Sequence, residues 1–471
     1  MKILLVNPPP YNGLKVIREG RCEQRLSSFQ YVMVPISLPM IAGLLEKADF
    51  NVKIYDFIVE DLNFEQSVDI SAKFEPDLVI INFSTLTLRG DIKFVKQLRK
   101  RCPKAHLTAI GVHVTAKTKA VLLESELDSV IRSEPEMTAL DLARSIKAKK
   151  NFAQVLGLSY KKDKEIITNA DRPFIQDLDS MPFPSRHLLK NEHYLMPVYN
   201  RPYTLLITAR GCPNQCTFCT ARQYYGKKFR TRGADSVIKE VQEIINKNKI
   251  RDITMWADTF TFNKKFVLDF CQQVKEKKLR FKWMCNARVD TVDLEMLRAM
   301  KEAGCIGVAY GVESGVQEIL NNVKKGVNLN QIERAFKLTK EADIDSLAHV
   351  IFGLPGETNQ TIRQTIRFID KIDPDYVQFY CAIPFPGTEF GDLARKKGWI
   401  TTNDWSKYEI NQAIIQTPLL SQKDLAKARK RAMLGFYLRW KFISRQLKNN
   451  NFKELFQIVK KGIGFLKDWG S

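Results

Sequence analysis

The chain has 471 residues, 44% hydrophobic and 10% aromatic, enough to bury two or three cores and to exclude wholesale disorder. Its formal net charge of +22 calls for an anionic partner: nucleic acid, lipid headgroups or a phosphorylated substrate. No window approaches the roughly 18 uncharged apolar residues of a membrane-spanning helix, and nine cysteines without a signal-peptide pattern predict a cytoplasmic protein whose thiols bind metal or stay buried.

The first 150 residues alternate strand-like and helix-like stretches. "KILLVNPP" reads as a strand ending in a loop, "SLPMIAGLLEKA" as a helix, and "NVKIYDF" and "PDLVIINFS" as further strands. "GDIKFVKQLRKRC" is a helix, "HLTAIG" a strand and "AKTKAVLLESE" a helix. Continuous Val, Ile and Leu strands separated by helices predict a doubly wound parallel sheet covered on both faces. Such sheets bind ligands beyond the carboxyl ends of their strands, which selects the loops Asn7–Gly13, Ser84–Leu88 and Gly111–Thr115. Residues 151–200 read as a linker containing a β-hairpin turned at "KKDKE", then the proline-bearing "DLDSMPFPSRHLL". From 201 to 395 a second alternation begins at "YTLLITARG" and runs through six strand–helix units. This predicts a curved, partial (β/α)6 barrel with its chemistry on the loops after the strands. Residues 396–471 predict a basic amphipathic helical tail.

The loop after the first barrel strand reads "ARGCPNQCTFCTAR" and holds Cys212, Cys216 and Cys219. Three thiolates at this spacing suit an iron–sulfur cluster with one iron left without a protein ligand. A structural zinc would want a fourth Cys or His close by, and the next thiol is Cys271. "CPNQCTFC" resembles the C-x-x-x-C-x-aromatic-C signature of the radical S-adenosylmethionine (SAM) superfamily. The resemblance implies that the three cysteines hold a 4Fe–4S cluster and that SAM occupies the open iron. An electron then cleaves SAM to a 5′-deoxyadenosyl radical that takes hydrogen from carbon.

Later stretches are similar to the same family. Phe218 offers an aromatic face to a planar ring. Asp258, in "DTFTFN", is placed to seat the SAM amino group or to cap the helix near Asn263. "CNARVD" brings Asn286 and Arg288 toward the SAM carboxylate or ribose, with an Arg288–Asp290 pair as the alternative. In "GVESG", Glu313 accepts from the ribose hydroxyls with Ser314 nearby. In "VIFGLPGET", Gly353 and Gly356 let backbone approach the adenine or serve a tight turn.

The first domain, with "NPPP" (Pro8) after its first strand and "GVHVT" after its fourth, resembles the Rossmann-like domain of cobalamin-binding radical SAM enzymes. Ser84, Thr85, Thr87 and Gly111 then face the cobalamin tail, and His113 either joins them or packs locally. The chain has no D-x-H-x-x-G, so no histidine ligand to cobalt is implied, and "GVHVT" and "SEPE" stand where relatives more often carry a second glycine. Cys22, between Arg21 and Arg25, is reactive only if those cations stabilise its thiolate.

From Ser421 to Ser471 thirteen Lys or Arg face three Asp or Glu. Leu434, Tyr437, Leu438, Phe442, Ile443 and Leu447 recur at helical spacing, followed by Leu455, Phe456, Ile458 and Val459. Basic amphipathic helices with aromatic anchors suit a membrane surface or a partner, and packing on the barrel explains the same stripe. The aromatics share the apolar face, which argues against nucleic acid. The resemblance thus implies a cobalamin-dependent radical SAM methyltransferase or cyclase acting on a small, hydrophobic, lipid or isoprenoid substrate. It would draw electrons from a flavodoxin or ferredoxin and touch the inner face of the membrane peripherally. A methylthiotransferase-like enzyme with a vestigial first domain, and a non-catalytic iron–sulfur or nucleic-acid-binding protein, are the rival expectations. The first usually carries three further cluster cysteines, where this chain has only Cys22 and Cys102.

Overall fold

The computed structural model describes residues 1–19, 24–26, 32–60, 62–163, 165–196 and 200–449. Cys22 and the apolar set Leu455, Phe456, Ile458 and Val459 lie outside the described residues.

The amino-terminal half is built on a seven-stranded sheet. Its strands are β1 (Lys2–Asn7), β2 (Asn51–Asp56), β3 (Leu78–Asn82), β4 (His106–Ile110), β5 (Ser129–Ile131), β6 (Leu158–Lys162) and β7 (Glu165–Thr168). The spatial order is β2-β1-β3-β4-β5-β6-β7, so strand order reverses between β1 and β3. β1 to β5 pair in parallel, and β3, "LVIIN", is buried at every position, as a strand covered on both faces must be. Helices α1 (Ser37–Glu46), α2 (Phe64–Lys73), α3 (Leu88–Arg101), α4 (Val112–Ala116) and α5 (Glu136–Lys147) flank the sheet. α2 begins where Asn63 and Gln66 exchange capping hydrogen bonds. Two expectations are revised. The hairpin placed in the linker is β6–β7, and it extends the first sheet antiparallel to β5, satisfying what would otherwise be an open edge. Gly111–Thr115, read as a loop, includes the start of α4.

The second half carries a six-stranded, all-parallel sheet in strict chain order. Its strands are β8 (Tyr203–Ile207), β9 (Asp252–Trp256), β10 (Lys282–Ala287), β11 (Cys305–Glu313), β12 (Asp345–Phe352) and β13 (Tyr376–Cys381). The short helix α6 (Ala221–Tyr225) follows the cysteine loop. The sheet is then wrapped by α7 (Ala234–Asn246), α8 (Lys264–Glu276), α9 (Leu294–Glu302), α10 (Leu329–Glu341) and α11 (Asn359–Ile372), the partial barrel expected from the pattern.

Strand alternation decides which side chains look where. Ala348, Val350 and Phe352 of β12, with Val377 and Phe379 of β13, join the core formed with the outer helices. On the other face, Tyr203, Leu205 and Ile207 of β8 enter a core with Ile36, Leu38 and Tyr194, to which Trp256 and Met284 add. The first domain therefore stoppers the inner face of the opening strands. The Tyr203 hydroxyl donates to the Val32 carbonyl (2.8 Å), and that of Tyr194 to Asp56 Oδ2 (2.8 Å), fixing the seam. The carboxyl end of the described chain folds back as α12 (Gln422–Tyr437) and α13 (Trp440–Asn449). Among the described residues no helix is long and apolar enough to cross a membrane.

Candidate functional site

The cysteine loop begins at Gly211, whose φ of +83° lies in the left-handed region. A Cβ there would sit 2.2 Å from the Lys228 carbonyl oxygen, so glycine is required by both backbone and space. Beyond it the Cys212 amide donates to the Gly226 carbonyl (3.3 Å), the Thr217 amide to that of Val323 (3.0 Å), and the Cys219 amide to that of Cys216 (3.2 Å). The loop is thus tied to the barrel at both shoulders. Cys212, Cys216 and Cys219 are all half-buried and outside any disulfide, and Asn214 Nδ2 donates to Cys212 Sγ (3.3 Å). Among the described residues no three His, Cys, Asp or Glu side chains converge as ligands of a single ion. A polynuclear cluster has a different need, since it spreads its thiolates over separate irons.

Two buried cations face this loop. Arg288 donates through Nε and Nη2 to Asp290 (2.9 Å each) and through Nη2 to the Lys325 carbonyl (3.2 Å). Lys325 Nζ lies 2.6 Å from Glu313 Oε1, both side chains at most 8% exposed. Burial by itself would lower the pKa of both cations, but Asp290 for Arg288 and Glu313 for Lys325 outweigh it. The negative charge of Cys216 adds to the upward shift of both groups. Both cations therefore place buried positive charge beside the cysteine loop.

Glu313 adopts φ +64°, unusual for a residue with a Cβ, and its carboxylate is held back against Lys325. Ser314 is fully buried: its hydroxyl shares a hydrogen bond with Thr365 Oγ1 (3.2 Å) and accepts from the Val316 amide (3.2 Å). Its visible work is to fix the loop. Gly353 and Gly356 have φ of +94° and +88°. A Cβ on Gly353 would come within 3.1 Å of Ile415, and one on Gly356 within 2.6 Å of Asn322 Nδ2, so both serve a tight, packed turn. Phe218 packs half-buried against the barrel core, and Asn286 looks from β10 to the inner face opposite Ala309.

In the first domain, Asp91 gathers the polar groups of the ligand loop. It accepts from Arg18 (2.8 and 3.0 Å), from Thr87 Oγ1 (2.6 Å) and from the Ser84 amide (3.3 Å). The Ser84 and Thr87 hydroxyls are 2.8 Å apart, and the Pro8 carbonyl accepts from Arg18 (3.4 Å). Thr85 Oγ1 lies 3.3 Å from His113 Nδ1, and the imidazole sits edge-on to Trp405 with ring centres 5.1 Å apart. Burial, then Lys117, lowers the His113 pKa to about 4, so the ring is neutral near pH 7 and packs locally. Gly111, at φ +128°, would drive a Cβ to 2.3 Å from the Phe83 carbonyl oxygen.

Between the two sheets, at the β1/β3 reversal, lies a cavity. Arg18, Glu19, Asn82 and Gly111 line it from one side; Arg210, Thr220, Tyr224, Tyr225 and Asp258 from the other. Cys219 adjoins Thr220, so cysteine loop and ligand loops open toward the same space. The Nε atoms of Arg18 and Arg210 are buried and find no hydrogen-bond acceptor among the described residues. Buried arginines, a glycine and two aromatic rings give the cavity a mixed polar and aromatic lining, the chemistry that the face of a corrin ring and its amide substituents would meet.

The sequence reading missed three features here. Glu134 and Glu136 of "SEPE" leave the ligand pocket and cross to the barrel. Glu136 accepts from Arg210 (2.5 and 3.2 Å), and Glu134 from Arg230 (2.8 and 3.0 Å), every side chain at most 4% exposed. Glu357, in the loop after β12, accepts from the Gly353 amide (2.5 Å) while burial raises its pKa to about 8. On the inner face of β12 and β13, His349 Nδ1 lies 3.1 Å from the Tyr380 hydroxyl, which donates to Gln378. Only the alternation of "LAHVI" with "VQFYC" hinted at this trio.

A family model of the radical SAM superfamily matches residues 206–369, and a model of the B12 binding domain matches residues 25–143. The chain is 31% identical over 448 residues to an uncharacterized methyltransferase of Pyrococcus horikoshii, covering 95% of both chains. It is 26% identical over 441 residues to an anaerobic magnesium-protoporphyrin IX monomethyl ester cyclase of Cereibacter sphaeroides, covering 92% of this chain and 69% of that one. The fold superposes on the cobalamin-dependent SAM radical enzyme OxsB with a TM-score of 0.76 at 16% identity, covering 99% of this chain and 72% of that one. The thiol loop, the cavity at the strand reversal and these likenesses agree: the chain belongs to the radical SAM superfamily, in the branch that joins a B12-binding domain to the barrel, and is an enzyme using a 4Fe–4S cluster, SAM and cobalamin.

Proposed function

We propose that the protein transfers a methyl group to an unactivated carbon of a small hydrophobic substrate. Cys212, Cys216 and Cys219 hold the cluster, and Phe218, Asp258, Asn286, Arg288 and Glu313 surround SAM. The observation that carries this reading is the placement of three half-buried thiols, none in a disulfide, near Arg288 and Lys325 on a loop adjoining the interdomain cavity. Methyl transfer is favoured because a relative 31% identical, matched over 95% of both chains, is named a methyltransferase. Oxidative cyclisation is the second reading, on the strength of the cyclase relative.

Bound at these residues, the cluster supplies one electron to split SAM, and cobalamin supplies the methyl group. The chain's own work is to orient and to exclude water. Arg288 and Lys325 set two buried positive charges beside the cysteine loop, and Glu313, set by Lys325, presents a carboxylate to sugar hydroxyls. Leu347 and Ile351 give the inner wall of β12 an apolar surface, interrupted by His349, Gln378 and Tyr380. That mixture suits an apolar body with one hydrogen-bonding group. A flavodoxin or ferredoxin is the matching electron donor, and a cytoplasmic location with peripheral membrane contact fits a lipid or isoprenoid substrate.

Anaerobic reconstitution with iron and sulfide, then dithionite and SAM, tests the reading by formation of 5′-deoxyadenosine. Cys216→Ala should abolish it while hydroxocobalamin still co-elutes with the protein. Loss of both would mark a folding defect, and turnover by the variant would refute the assignment.

A further inference from the structure

The tail helices present two unlike faces. The inner face of α12 buries Leu425, Ala432, Met433 and Phe436 against the barrel. In α13 and the turn before it, Phe442 packs on Phe436 and Tyr437, and Arg439, Lys441 and Arg445 converge on Asp373 within 2.8–3.0 Å. Those cations are spent on docking the tail. The outer face is different. Lys427, Lys430, Arg431, Leu434 and Leu438 follow one another at intervals that bring them to one side of the helix, and they line a shared open groove. Among the described residues Lys427, Lys430 and Arg431 make no ion pair and are exposed. Leu438, in the same groove, is 62% exposed, and on the following helix Trp440 is 74% and Leu447 56% exposed.

We propose that this outer face is a docking surface for an anionic lipid bilayer. The composition matches such a surface on both counts. Lys and Arg without ion pairs complement negative headgroups, Leu434 and Leu438 share their groove, and the exposed Trp440 follows two residues after Leu438, side chains of the kind an interfacial helix inserts. Long basic side chains can lie along the apolar groove and keep their charges at the headgroups. A nucleic-acid groove would set stacking aromatics among its cations, whereas the groove here places Leu434 and Leu438 among them. The inference extends the reading of a hydrophobic substrate, since a lipid-soluble molecule would be taken up from this surface. It stands on the surface alone and its test needs no turnover, so either reading can fail without the other.

The test is co-sedimentation of the full chain, without added cofactors, with vesicles of phosphatidylglycerol and phosphatidylcholine in equal parts, against pure phosphatidylcholine. Binding to the anionic vesicles alone, weakened by added salt, is expected. Each basic residue near the surface contributes about fivefold in partitioning. Lys430→Gln with Arg431→Gln should therefore lower binding about 25-fold, and Leu438→Ser with Trp440→Ser at least about tenfold. All four side chains are exposed, so thermal unfolding should stay as in the parent chain. Absence of binding to either vesicle, equal binding of parent and variants, or capture of an oligonucleotide in place of vesicles would overturn the proposal.

Discussion

Replacing Glu136 by glutamine tests whether the first domain holds the root of the cysteine loop. Glu136 begins α5 in one domain, and Arg210 stands two residues before Cys212 in the other. Their side chains meet at 2.5 and 3.2 Å with at most 3% exposure, so neither charge is solvated in the folded state. Removing one member of a buried pair leaves the other uncompensated, at a cost of about 3–5 kcal/mol. Glu134 Oε1 lies 3.2 Å from the same guanidinium and already serves Arg230, so it offsets part of the loss and places the cost near the lower end, about 3 kcal/mol. A melting temperature lower by about 6–12 °C follows for a cooperative unit of a few hundred residues. The assay is thermal unfolding with hydrogen exchange across residues 209–232. Exchange should rise in the ladder of Ala209–Arg210 with Arg230–Thr231, which flanks the thiols. The double variant Glu136→Leu, Arg210→Met removes both charges and should recover much of the loss. A melting point unchanged in the single variant, or a double variant worse than the sum of the two single ones, would refute the reasoning.

Gly211→Ala forces a left-handed φ on a residue with a Cβ and a contact with the Lys228 carbonyl, and should lower the iron retained after reconstitution severalfold at near-native secondary structure. Lys325→Met strips the buried Glu313 carboxylate of its partner, costing about 3–5 kcal/mol, and should weaken SAM binding measured by calorimetry. Glu357 has a folded pKa of about 8 against an ordinary 4.5, so the folded state keeps a proton that the unfolded chain loses. Its contribution is therefore fully present at low pH and is lost as pH rises from about 4.5 through 8. Glu357→Gln should flatten that part of the stability profile in denaturant titrations. Tyr380→Phe should leave fold and 5′-deoxyadenosine formation intact while product yield falls.

The alternation of apolar strands with amphipathic helices made both sheets legible, because a parallel strand buried on two faces must be continuously apolar and its crossover helix must not be. Ser129–Ile131 escaped notice since three residues carry no periodicity. The edge position of the Leu158–Lys162 hairpin depends on a partner strand far away in sequence. The thiol loop was legible because its ligands are local. Lys325, Glu134 and Glu136 were not, since their meaning lies in partners 12 to 96 residues away. In the tail, sequence spacing gave the apolar stripe, but only Asp370, Asp373 and Asp375 reveal which cations are already neutralised.

Electron paramagnetic resonance of the reconstituted, dithionite-reduced protein, recorded before and after SAM, tests the central claim most directly. A reduced four-iron signal that changes when SAM is added, and that vanishes in Cys216→Ala, is the predicted result. Stoichiometric zinc in place of iron, or a cluster signal indifferent to SAM, would contradict it.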